Sequence, residues 1–178
     1  MNNIDSHNTF KQYHDNLWVS SSVYPSNWVR PILALANYFM VDEEKPNFIV
    51  MEAETQVEHV LPQKPKEGSQ WNADFDEEKK EEWVNNIANL TLLKRKKNAQ
   101  ALNGDFDEKR KIYGGKDTSK VISCYDITKE LYRDYKKWDE KSLQKRYDFL
   151  YGIITPILHI EGQEEEIEEE FEDDFDLE

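Results

Sequence analysis

Two short runs of strand-forming residues constrain this chain more than any other feature. Residues 48–61 read FIVMEAETQVEHVL, an extended stretch of one long strand or two, and Pro62 ends it. Residues 89–93 read NLTLL, a short strand of good β-formers. Most of the rest has helical spacing. The chain therefore reads as α+β, with a hairpin embedded among helices. Inside the first run a carboxylate and a histidine, Glu58 and His59, stand side by side where valines are expected. Neighbours on a regular strand point to opposite faces, so the strand must twist or end at this pair if both are to serve one site.

The helices are read from periodicity and caps. Phe10, Tyr13, Leu17 and Trp18 suggest a short amphipathic helix. Ser26 or Asn27 can cap a helix through NWVRPILALANYFMV, apolar nearly all round and expected at the centre of the core. Residues 62–72 are a Pro, Gly and Lys loop. Asp74 or Asp76 starts a charged helix through DEEKKEEWVNNI, and KRKKNAQAL is helical, with Gly104 where a helix end favours glycine. Asp105 and Glu108 form a capping box before FDEKRKIY, which Gly114-Gly115 breaks. Residues 119–138 hold one or two more helices. The last begins near Asp139, with Leu143, Tyr147, Leu150, Ile154 and Leu158 on one face. The five tryptophans are core residues or hydrophobic seams.

Charge divides the chain further. The formal net charge is −14, but residues 161–178 hold twelve acids and no Lys or Arg, so the body is near −2. Residues 89–120 carry nine basic against four acidic side chains. The expected organisation is an N-terminal helical or linker segment (1–25), one domain (26–160) and an acidic, disordered tail (161–178). The tail is expected to be solvated, or to cover the basic region or a partner's basic surface. The single cysteine, Cys124, allows no internal disulfide or thiolate metal cage and is expected to be a buried small apolar residue. No secretory signal or membrane-spanning run is visible, which points to the cytoplasm and no membrane partner.

No Gly-rich phosphate loop and no zinc spacing of His and Cys occur. What remains is a hairpin plus helix able to gather a histidine, a carboxylate and amides. A neutral histidine can take a proton from water, and carboxylate and amide oxygens suit Mg²⁺. That is the parts list for metal-assisted phosphodiester hydrolysis.

EHVLPQ, Trp71, IANLTLL and Asn98, with Asn103, Phe106, Lys109, Tyr113 and Trp138 following in order, resemble the HNH endonuclease domain DUF1524. That domain is the C-terminal nuclease half of GmrSD-type modification-dependent restriction enzymes and related phage-defence proteins. The resemblance covers about residues 28–158. Ala88 stands where the family usually has glycine. The resemblance implies a ββα-metal (His-Me finger) hairpin that cuts or nicks double-stranded DNA with one Mg²⁺ or Mn²⁺. His59 would be the general base and Asn89 would orient it. Glu58 and Asn98 would bind the metal, with Asn103 the rival of Asn98. Lys94, Arg95, Lys96 and Lys97 would contact phosphates. Each role has a plainer alternative: a salt bridge from Glu58 to a lysine, an Asn89 that ties down the hairpin backbone, a solvated helix face for the lysine run. The family's N-terminal DUF262 domain, a nucleotide-hydrolysing sensor, has no room here. The expectation is therefore a fragment or the nuclease half of a split system, with that module as partner. The reading from a different class is a non-catalytic module that binds DNA or a partner in a defence complex.

Overall fold

A computed structural model describes residues 11–41 and 52–160. It is a mixed helical fold around one small sheet. Strand β1 (Thr55–His59) pairs antiparallel with β2 (Leu90–Lys94). Their register sets Glu58 opposite Thr91 and His59 opposite Leu90. Helices α1 (Val29–Phe39), α2 (Gln70–Asp74), α3 (Glu77–Trp83), α4 (Arg95–Ala101), α5 (Phe106–Tyr113), α6 (Asp126–Asp134) and α7 (Glu140–Leu158) surround it. A π-helical turn (Asp15–Val19) precedes them, and a 3-10 turn (Ile87–Asn89) leads into β2.

β2 is buried on both faces, which explains its nearly continuous apolar sequence. Leu90 and Leu92 enter a core with Leu33 of α1 and Leu150 and Ile154 of α7. Leu93 enters a second core with Trp71, Phe106 and Trp138. Leu17, Trp18 and Val23, from the N-terminal segment, pack in the first core beside α1 and α7.

Several local expectations are corrected. Residues 62–72 are not loop throughout, because Trp71 is buried on the short helix α2. The N-cap of α1 is Trp28, without a side-chain hydrogen bond, rather than Ser26 or Asn27. Only one face of α1 is inside, and Tyr38 and Phe39 are exposed. Leu102, not Gly104, takes the positive φ after α4, and Gly104 instead donates its N–H to Ala101 O. Cys124 is half-buried. Ala88 is fully buried, and its φ is not positive, so alanine meets no backbone penalty there. The caps on Asp76 and Asp139 and the Asp105–Glu108 box are present. Any strand in residues 48–51 and the acidic tail of 161–178 lie outside the described residues. No described helix is long and apolar enough to cross a membrane.

Candidate functional site

Strand alternation sends Glu58 and His59 to opposite faces of β1. Glu58 turns towards α5. Its Oε1 accepts from Lys109 Nζ at 2.7 Å and from the Tyr113 hydroxyl at 3.1 Å. Lys109 and Tyr113 sit four residues apart on α5, so one helix face presents both. The Lys109 ammonium also donates to the backbone carbonyl of His59 at 2.5 Å. One lysine thus ties together both residues of the pair. Lys109 is completely buried and Glu58 nearly so. Burial pushes the Glu58 carboxyl up and the Lys109 ammonium down, and the attraction between the two opposes both shifts. Burial also holds the Tyr113 phenol neutral.

His59 turns the other way. Its Nε2 lies 3.2 Å from Asn85 Oδ1, which also accepts from Gln63 Nε2 at 3.0 Å. An amide oxygen only accepts, so Nε2 carries the imidazole proton and Nδ1 keeps the lone pair. The Tyr24 ring packs edge-on against the imidazole, centroids 4.5 Å apart. Burial pulls the His59 pKa down to about 4; the Asn85 bond works against this and the Lys109 charge adds to it. At neutral pH His59 is neutral, and its Nδ1 has no hydrogen-bond partner among the described residues.

The Asn89 side chain makes no hydrogen bond to the His59 ring. Its Oδ1 accepts from Leu61 N at 2.7 Å and Trp138 Nε1 at 3.1 Å, and its Nδ2 donates to Leu61 O and Val84 O, both at 2.9 Å. Every hydrogen-bonding position of this fully buried amide is occupied, and most of the bonds fasten backbone. Arg146 of α7 completes the corner. It donates to Ala88 O and Leu90 O at 2.6 and 2.8 Å and pairs with Glu130 at 3.2 Å. The carbonyls either side of Asn89 are thus held from the far helix.

Asn98 lies on α4, half-buried, and donates from Nδ2 to Gln56 Oε1 at 2.9 Å. Gln56 stands two positions before Glu58, on the same strand face. The amide oxygen of Asn98 has no hydrogen-bond partner among the described residues. Lys109 and Tyr113 both use Oε1 of Glu58 and neither uses Oε2. Carboxylate and amide oxygens are donors of the kind a hard divalent cation takes, while Glu58 is already paired with the buried Lys109. Among the described residues no group of three or more His, Cys, Asp or Glu side chains is gathered as a metal cage. A cation held here would complete its shell with water and phosphate oxygens.

The basic run divides in two. Lys97 is buried, its ammonium on Ile112 O and 3.9 Å from Asp117. Lys94 pairs with Glu52. Arg95 and Lys96 are exposed and make no ion pair among the described residues. Lys94 ends β2, and the three helical positions Arg95–Lys97 spread through about 200°, which turns Lys97 inward while Arg95 and Lys96 stay outside. Sequence reading missed Asn85, which sits in the turn after α3 and resembles a helix end. It named Lys109 only as part of a pattern. A lysine and a tyrosine four apart on an amphipathic helix were the available signal.

The family model "GmrSD restriction endonucleases, C-terminal domain" matches residues 10–153 of the chain. No match is found among curated proteins.

Proposed function

Because the chain belongs to the family of GmrSD restriction endonuclease C-terminal domains, we propose that it is an HNH-type endonuclease hydrolysing phosphodiesters of double-stranded DNA. The observation that carries the reading is His59 at the end of β1. It is neutral, with Nε2–H committed to Asn85 and Nδ1 unpartnered among the described residues. In this reading Nδ1 takes a proton from the attacking water. Asn85 holds the ring in the tautomer that leaves Nδ1 basic. Asn89 and Arg146 fix the hairpin corner and keep the two strands in register. Glu58 and Asn98 would hold Mg²⁺ or Mn²⁺ through their side-chain oxygens. The ion would supply positive charge to the scissile phosphate and the leaving 3′-oxygen. Lys109 keeps Glu58 aimed and anchors the His59 carbonyl. Arg95 and Lys96 are the members of the basic run free to contact phosphates.

The setting consistent with this family is cytoplasmic defence against phage or modified foreign DNA, with a DUF262-type nucleotide-hydrolysing sensor as partner domain or subunit. The test is a supercoiled plasmid incubated with the purified protein. Nicking or linearisation should occur with Mg²⁺ or Mn²⁺ and stop in EDTA. A pure protein that cuts equally well in EDTA would rule out the metal reading, and one that binds DNA without ever cutting it would favour a binding module.

A further inference from the structure

The residue expected to orient His59 is Asn89, yet Asn89 is spent on Leu61, Val84 and Trp138. A base that must keep one tautomer needs another partner, and only one side chain among the described residues hydrogen-bonds its ring. We infer that Asn85 is the positioning residue of the site and that it forms a three-part clamp on His59 with Gln63 and Tyr24. This rests on His59 being the base.

Each part of the clamp has a separate physical role. Gln63 donates to the same Oδ1 that faces His59. This bond points the amide oxygen, not its NH₂, at the imidazole, and so selects the Nε2–H tautomer. Tyr24 blocks rotation of the ring by edge contact. The Asn85 backbone is held as well, because its carbonyl accepts from Val23 N at 3.0 Å and Tyr24 N at 3.4 Å. The segment before α1 therefore grips Asn85 and covers His59 at the same point. The clamp draws on three places in the chain: residues 23–24, Gln63 just past β1, and the turn after α3. It lies on the opposite strand face from Glu58 and shares no side chain with the Glu58–Lys109 pair.

The experiment uses the full chain. With ¹⁵N-labelled histidine and no DNA, NMR reports which ring nitrogen carries the proton. The His59 signal is identified by its loss in His59→Gln. The wild type should show His59 protonated at Nε2. Asn85→Leu keeps the size and removes the acceptor, and should abolish that preference. Its single-turnover plasmid cleavage with Mg²⁺ should fall about 10- to 100-fold while DNA affinity stays unchanged. Asn85→Asp restores an acceptor oxygen and, at mildly alkaline pH, should restore both the tautomer and most of the rate. A wild-type His59 protonated at Nδ1 would overturn the clamp without any variant. So would an Asn85→Leu protein that keeps the Nε2–H signal and cuts at the wild-type rate, or a folded Asn85→Asp protein as impaired as Asn85→Leu. Should His59→Gln itself cleave normally, the base assignment falls, whereas the tautomer measurement still reports on Asn85 alone.

Discussion

Glu58 and His59 are adjacent in the chain and occupy different worlds. The Glu58 side of β1 is buried, and one carboxylate oxygen there accepts from both an ammonium and a neutral phenol. The His59 side is half-buried and neutral, and one ring nitrogen has no partner among the described residues. The first arrangement holds a charge still. The second leaves a proton acceptor ready. Alternation along one strand is what lets a two-residue motif do both without the groups quenching each other. Lys109 spans the difference, since it bonds the Glu58 carboxylate and the His59 carbonyl together.

The contrast breaks most sharply at Lys109. Lys109→Met removes one partner of a buried ion pair and leaves Glu58 uncompensated. Thermal or denaturant unfolding should show a loss of about 3–5 kcal/mol. A change within experimental error would mean that the Glu58 side is not a locked charge.

A second prediction sharpens the contrast through pH. Imidazole is a base only when neutral, and the folded pKa of His59 is about 4 instead of 6.5. Cleavage measured with saturating metal should therefore persist from neutral pH to about pH 5 and fail near pH 4, provided the fold survives. The stability effect has a definite sign. The unfolded chain takes up this proton first, so His59 withdraws stability as pH falls from 6.5 to about 4. An acid limb centred near 6.5 would mean that the imidazole is not desolvated as described.

The smallest effect belongs to the surface. Arg95→Ala or Lys96→Ala should weaken DNA binding and lower the salt slope by about 1 each. Lys97→Ala should lower stability instead, because Lys97 is buried against Ile112 and Asp117. If Lys97→Ala changed the salt slope as much as Arg95→Ala, the division of the basic run would be wrong.

The two strands of the small sheet were legible because both are runs of β-formers and because Pro62 follows the first. The caps on Asp76, Asp105 and Asp139 were legible because capping is local chemistry. What escaped was long-range. Lys109 reaches Glu58 across 51 residues, and Arg146 reaches Ala88 across 58. Periodicity shows that such residues lie on a buried face but not what they meet there. Asn85 and Asn89 stand in the same short segment with the same side chain. Only the turn between them decides that one faces the imidazole and the other the backbone of Leu61.

The central claim is that His59 is the base that takes the proton from the attacking water. It is tested most directly by single-turnover plasmid cleavage with His59→Ala, its folding checked by thermal melting and its DNA affinity measured alongside. The account predicts a rate lower by about 10²- to 10⁴-fold, with the fold retained and DNA affinity unchanged. Cleavage at the wild-type rate by a folded His59→Ala protein would contradict it.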